Sequence, residues 1–322
     1  MLEKVSKSLA VNIIKLYPSY PNENDLRISE IFRHDNYTRV SIEQQNQIKL
    51  NSAMFRYNQE KQKSFFDIFF PYMQFNEFYD KKILDLGCFT GGKLVFWMQR
   101  YGFREGRGID ISPVFADAGN IFAKKMGVKN VIFDTGFGEN LPYASNSFDF
   151  IVSYDVFEHV QNLEQVMQEC CRVLKPGGKI LFAFPPYFAL GEEHFTLITK
   201  MIGLQWFFSG KTLTKAYNEI IAERGKEADW YAPGKTQEWE KLPALNGTTV
   251  ADFRHIIAKN KRWKILYCNK NTFAHRTGLN SRLLRFMRIL IKIPASLPIF
   301  EEFFLSRICC SFEKIDVNSV GS

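Results

Sequence analysis

The sequence lacks several features that would settle a function class at once. Its six cysteines, Cys88, Cys170, Cys171, Cys268, Cys309 and Cys310, include no C-x-x-C and no zinc-ligand spacing. Neither a structural zinc nor a redox dithiol motif is therefore expected. No run of about 18 apolar residues occurs, so no spanning helix is expected. The N-terminal stretch MLEKVSKSLAVNIIKLYPSYP has neither the long apolar segment nor the small-residue cleavage site of a secretory signal. Internal repeats and low-complexity tracts are also missing, which leaves solenoids and disordered tails out of consideration. A reducing, cytoplasmic setting is the expectation.

What remains has the composition of an ordinary folded protein. Apolar residues make up 46% and charged residues 24% of 322, enough for one large domain with insertions or two small ones. Aromatics reach 15%, with 31 phenylalanines, which reads as a Phe-rich core ahead of an aromatic-lined crevice or a membrane-facing surface. The formal charge is +8, and its location matters more than its size. Residues 261–322 hold eleven Lys and Arg against four Asp and Glu, leaving the rest of the chain close to neutral. A basic C-terminal third suits phosphate, lipid headgroups or an anionic substrate.

Hydrophobic periodicity divides the chain. Residues 1–80 are polar and aromatic with helical spacing and read as a helical cap. From Lys82 short apolar runs alternate with amphipathic segments: strands at 82–87, 107–112, 130–134, 148–155 and 179–185, helices at 91–103, 113–127 and 163–174. Strand–helix alternation implies a parallel, doubly wound sheet. Residues 186–249 break the rhythm and read as an insertion on the acceptor side. A helix at 250–260 and strands at 263–269 and 306–314 then return to the core, with a basic helix at 281–293 inside an insertion spanning about 275–305. The expected domains are thus 1–80, 81–185, 186–249 and 250–322.

The loop in ILDLGCFTGGKL (83–94) carries the chemistry. Read from Gly87 to Lys93 it approaches a phosphate-binding loop, but Leu94 stands where the magnesium-ligating Ser or Thr is needed. Read as a dinucleotide loop it has Phe89 in place of the glycine that lets backbone approach a pyrophosphate. In both cases Asp85 brings the wrong charge to a polyphosphate. An acid followed by a glycine turn and a helix start suits a ligand of both signs: a carboxylate near helix amides, an ammonium or sulfonium near Asp85. Asp110, at the end of the next strand, can accept both hydroxyls of a ribose. S-adenosylmethionine has that layout.

With KILDLGCFTGG, GIDIS, GENLPYASNSFDFIVSYDVFEHV and RVLKPGGKILFAFPPY in this order and spacing, residues 82–185 resemble the core of the class I S-adenosylmethionine-dependent methyltransferases. The resemblance implies a seven-stranded Rossmann-like α/β sheet of order 3-2-1-4-5-7-6 with helical cap insertions. It also implies cofactor contacts. Asp85, Gly87 and Gly91, in one loop with Cys88 and Phe89, would surround the methionine part. Asp110 and Ile111 would meet ribose and adenine, the backbone of Gly138, Glu139 and Asn140 would border the adenine, and Tyr154 would face it across the pocket. Two positions depart from the family. Phe89 replaces a glycine, so Gly91 and Gly92 are expected to absorb the altered turn. Phe137 replaces the acid beside the adenine amino group, leaving Glu139, a backbone carbonyl or stacking on Phe137 to serve the base.

For the reaction, His159 after the fourth strand and His194 at the start of the insertion are the candidate general bases, with Asp155 a third. No metal site is expected. The acceptor is expected to be a small molecule or glycan methylated on oxygen. A lipid or quinone acceptor at the membrane surface is the alternative, drawn from the basic face of residues 281–293. A non-catalytic cofactor-binding protein is the other, drawn from Phe89 and Phe137. No nucleic-acid module accompanies the basic helix, so no nucleic-acid partner is expected.

Overall fold

The computed structural model describes residues 2–19, 40–189, 198–201, 203–224, 245–272, 302 and 305–316. The basic segment 281–293 and His194 lie outside them.

Alternating texture becomes alternating structure. Helices α1 (Leu2–Leu16) and α2 (Ile42–Gln62) precede β1 (Lys82–Leu86), α3 (Gly92–Tyr101), β2 (Glu105–Asp110), α4 (Pro113–Lys125) and β3 (Val131–Thr135). Then follow β4 (Phe148–Tyr154), α5 (Leu163–Val173), β5 (Leu174–Phe184), α6 (Gly210–Arg224), α7 (Val250–Lys259), β6 (Trp263–Thr272) and β7 (Leu305–Lys314). The strand order is β3-β2-β1-β4-β5-β7-β6, the order expected from the sequence. β1 pairs in parallel with β2 and β4, β2 with β3, and β4 with β5. The order reverses outward from β1, so its carboxyl end and that of β4 open a crevice where ligands bind in such sheets.

Two compact units form. One holds residues 35–184, 255–269 and 309–322; the other holds 1–34, 185–254 and 270–308. Residues 1–80, read as one cap, divide between them. In the second unit, Ala10, Val11 and Ile14 of α1 pack with Leu213, Ala216 and Ile220 of α6. In the first, α2 belongs to the sheet-bearing core.

Local chemistry sets the helix ends. Ser41 and Gln44 form a reciprocal capping box at the start of α2. Pro113 opens α4 at its first turn, where its missing N–H costs nothing. Asn162 caps α5 by accepting from the Gln165 amide at 3.1 Å. The central strands are buried along most of their length, as expected of a sheet covered on both faces.

The aromatic excess is spent in the core. Phe65, Phe66, Phe69, Phe78, Trp97, Tyr101 and Phe103 are all buried in one cluster behind β1 and α3. Glu60, 3% exposed, sits among them. Its Oε1 accepts from the Trp97 indole at 2.6 Å, the Phe65 amide at 2.6 Å and the Ser64 hydroxyl at 2.7 Å. The structure also joins Cys268 to Cys310 in a disulfide, a pairing that the sequence reading did not contain. Among the described residues no helix is long and apolar enough to cross a membrane.

Glu60→Ala strips the acceptor from three buried donors. Urea unfolding of the variant should show a loss of about 2–4 kcal/mol, whereas Glu60→Gln, which keeps an oxygen there, should lose less. Equal stability of the alanine variant and the parent would mean that the donors find other partners.

Candidate functional site

The loop leaving β1 is shaped by its glycines. Gly87 has φ +76°, and a Cβ there would collide with Val156. Gly91 has φ +77°, with the Phe133 ring pressed against it from β3. Both positions accept only glycine at acceptable cost. The Gly87 and Cys88 amides donate to the Ile109 carbonyl at 2.8 and 3.1 Å, which ties this loop to the end of β2.

Phe89 adopts the left-handed conformation itself, at φ +50°, so the flanking glycines do not absorb its substitution alone. Its amide donates to Asp110 Oδ2 at 2.9 Å, and its ring packs on Phe115 with centroids 4.4 Å apart. Arg56 of α2 places its guanidinium 5.0 Å from the same ring. These contacts offset the strain of a bulky residue at positive φ.

Asp110 therefore links the tips of two strands. Oδ2 takes the Phe89 amide and Oδ1 the Ser112 amide at 3.2 Å. Burial pushes its carboxyl above the ordinary range, against the pull of those amides. Each oxygen has a second lone pair, so the carboxylate still has capacity for a diol.

Asp85 is different. It is 4% exposed at the end of β1, and among the described residues it has no hydrogen-bond partner. Burial pushes its carboxyl up to about 7; Lys93 opposes that shift, while Glu60 and Asp110 add to it. Lys93, in the first turn of α3, lays its ammonium 3.9 Å from the centroid of the Tyr154 ring. Burial and the Arg56 charge pull it down to about 8, while Glu60, Asp155 and Asp85 hold it up.

The segments that follow β2 and β3 are open and apolar. Ile111 is 62% exposed and Phe137 58% exposed, unusual for large apolar residues unless something covers them. Gly138 is buried against Val166 and Leu86, and the Asn140 amide donates to the Phe137 carbonyl at 3.2 Å. The Glu139 carboxylate is engaged elsewhere: it accepts from the Gln161 and Asn162 amides at 2.8 and 3.2 Å. It fixes the entry to α5 and is not directed to a base. An S-adenosyl ligand fits this set of residues: an unpartnered carboxylate for a cation, a diol acceptor, and two exposed apolar side chains for a purine.

The structure thus gathers Asp85, Gly87, Cys88, Phe89, Gly91, Asp110 and Tyr154 at one edge of the sheet, with Ile111 and residues 137–140 following β2 and β3. Tyr154 ends β4, and Asp155, the next residue, has φ +58° and donates its amide hydrogen to the Ala183 carbonyl at 2.9 Å. His159 follows; its amide donates to the Val156 carbonyl at 2.8 Å and its Nε2 lies 3.7 Å from Glu158.

Sequence reasoning missed Arg56, Glu60 and Lys93. Lys93 was in view as the end of a rejected phosphate-loop pattern, and its adjacency to the glycine turn was the available signal. Arg56 and Glu60 give no local signal. A groove of about 510 Å³ lies between Lys82, Glu105, Arg107, Asp134 and Tyr143, lined by none of the candidate site residues. Its charges pair with one another, Lys82 with Glu105 and Arg107 with Glu105 and Asp134.

Comparison with known proteins bears on this geometry. A family described as "Methyltransferase domain" matches residues 84–182. Norajmaline N-methyltransferase of Rauvolfia serpentina is 30% identical over 47% of this chain and 55% of its own length. Glycine/sarcosine/dimethylglycine N-methyltransferase of Actinopolyspora halophila is 36% identical over 33% of this chain and 19% of its own. The chain therefore spans about half or less of the length of these relatives. Among solved structures, geranyl diphosphate C-methyltransferase of Streptomyces coelicolor aligns over 73% of this chain and 70% of its own, with 16% identity and a TM-score of 0.46.

The raised Asp85 carboxyl fixes a pH dependence. A cationic ligand needs Asp85 ionised, so affinity for S-adenosylmethionine should strengthen as pH is brought up through about 7, with proton release on binding below that point. Titration calorimetry in buffers of differing ionisation heat measures both. Asp85→Asn should bind weakly and flatten the profile; an unchanged profile would place the cation elsewhere.

Proposed function

Because residues 84–182 form a methyltransferase domain of the class I S-adenosylmethionine-dependent family, we propose that the whole chain is an enzyme that methylates a heteroatom, oxygen in the first reading, of a small-molecule or glycan acceptor. The observation that carries the reading is the pair of carboxylates at the tips of β1 and β2, one unpartnered and one bridging two loops. When bound, S-adenosylmethionine supplies a methyl group on a sulfonium, a good leaving group that needs no further activation.

The chain's own residues then have three tasks: to orient the donor, to align the acceptor and to take a proton. Asp110, with Phe89 tied to it, fixes the loop against which a nucleoside lies. Ile111 and Phe137 exclude water from the base. Alignment at van der Waals range is the main source of rate in a direct displacement. An oxygen acceptor also loses a proton, and His159, partly buried past β4, is a described residue suited to receive it. His194 takes the same role in the sequence reading.

A second reading, transfer to nitrogen, is favoured by the two relatives named above, both N-methyltransferases by name. An amine that has lost its proton in solution needs no base, which separates the two readings. Incubating the protein with labelled methyl donor and panels of phenols, sugars, glycolipids and amines, then locating the methyl by fragmentation, decides between them. Label on an alcohol or phenol oxygen supports the first, label on an amine the second, and incorporation into none of them overturns both.

On an oxygen acceptor, His159→Ala or His194→Ala should lower kcat by about 100-fold or more with little change in S-adenosylhomocysteine affinity. Calorimetry and initial rates check this together. Full rates in both variants would remove histidine from the proton transfer.

A further inference from the structure

Cys268 and Cys310 are joined across neighbouring strands, with their Cα atoms 4.1 Å apart. Their place in the fold matters more than the bond itself. The chain passes from the sheet-bearing unit into the other unit after residue 269 and returns at residue 309. The disulfide therefore closes that excursion at its neck, one residue inside each crossing. Its two sulfurs belong to different surroundings. Cys268 is exposed on β6, the last strand in the sheet order, whereas Cys310 is fully buried on β7. The other four cysteines, Cys88, Cys170, Cys171 and Cys309, are buried thiols. The excursion also carries a second tie. Glu302 lies on it, and its carboxylate accepts from the Phe188 amide at 3.1 Å and the Val250 amide at 3.0 Å, one on each oxygen. Those residues stand near the start and just past the end of the insertion read at 186–249. One cross-link thus closes the segment whose carboxylate clasps both ends of the insertion.

We propose that Cys268–Cys310 is a reversible thiol-exchange site, opened and closed by a small thiol of the glutathione class, whose state sets how firmly this neck is held. Exchange enters at Cys268, the exposed residue of the pair, because attack needs access to a sulfur. The incoming thiolate bonds to Cys268 Sγ, the Cys268–Cys310 bond breaks, and Cys310 leaves as a thiolate that takes a proton. A second thiolate then attacks the small-molecule sulfur of the mixed disulfide and frees Cys268, which takes a proton in turn. Two small thiols are oxidised to one disulfide, and the protein cystine gains two electrons and two protons. Closure runs the same steps backwards, with Cys310 as the resolving residue. The bond restrains a loop with a sequence separation of 42, so the reduced chain opens at its neck more often. Neither cofactor nor acceptor takes part in these steps.

The test equilibrates the full chain with reduced and oxidised glutathione at a series of ratios, traps thiols with acid and an alkylating reagent, and maps them by peptide mass. The Cys268–Cys310 peptide should pass from cross-linked to doubly alkylated across the series, with glutathione on Cys268 at intermediate ratios. Cys88, Cys170, Cys171 and Cys309 should carry no glutathione at any ratio. Cys310→Ser should accumulate glutathione on Cys268, and Cys268→Ser should leave Cys310 without it. Hydrogen exchange should be about 10-fold or more faster in the reduced protein at β6, at β7 and in peptides holding Phe188 and Val250. Cys268→Ser should match the reduced parent in either buffer. Thermal melts show whether the serine variants fold, and the parent series stands even where they do not. A cystine that resists every ratio is an inert cross-link, and one that never forms in excess oxidised glutathione is no redox pair; either result overturns the proposal. Glutathione on Cys310 instead of Cys268 overturns the entry point. Equal hydrogen exchange in the two states overturns the control of the neck.

Discussion

A carboxylate buried at the end of a strand without a hydrogen-bond partner is the constraint on which the site depends. Asp85 is 4% exposed, and burial, with the nearby Glu60 and Asp110 charges, drives its carboxyl up to about 7 against the pull of Lys93. A group in that condition destabilises the fold when it ionises, because the native state holds the proton more tightly than the unfolded chain does. Stability from this group is present below the ordinary carboxylate range and is lost as pH rises through about 7. Ligand binding runs the other way, since a cation restores what ionisation loses. A cation arriving from solution would supply the hydrogen-bonding partner that the described residues do not.

Everything around it keeps that half-pair in place. The glycine turn cannot relax, because Val156 and Phe133 fill the space a side chain would need. Asp110 ties the turn to β2 through Phe89, which converts an awkward residue at positive φ into a tether. Above the turn, α2 approaches so closely that a Cβ at Gly92 would strike the Ala53 carbonyl. The helix is polar along most of its length, and its buried side carries Lys49, Ser52, Ala53 and Glu60. Lys49 pairs with Asp117 of α4, and Glu60 gathers three donors beneath the roof. These polar contacts add to an apolar stripe, Leu50, Ala53, Met54 and Tyr57, that packs the helix on the core.

This explains how much could be read in advance. The strands and helices from Lys82 to Phe184 were legible because period, glycine and proline all agree locally. The strand order followed from a resemblance carried by four motifs. Asp85 and Asp110 were legible because each ends a successive strand, a relation visible along the chain. Lys93 was visible but assigned to a pattern it failed, since linear reading shows neighbours in sequence and not the Tyr154 ring from β4. Arg56 and Glu60 were invisible, because only the docking of α2 brings them to the loop. A large part of the aromatic excess went to one cluster of residues 65–103 and 150, where composition could not point.

Phe137 stands where the resembled methyltransferase pattern has an acid. With no acid at that position, and with Glu139 bound to two backbone amides, neither residue has a carboxylate to spare for the exocyclic amine of an adenine. What the pocket offers instead is area: two large side chains more than half exposed, on the segments that follow β2 and β3. Covering them removes apolar surface worth about 25 cal/mol per Å², which is sequence-tolerant attraction with little preference among purines. Recognition then shifts to the other end of the ligand, where charge is plentiful and geometry is fixed. An S-adenosyl ligand fitted here would meet charge at Asp85 and Asp110 and mainly apolar area at Ile111 and Phe137.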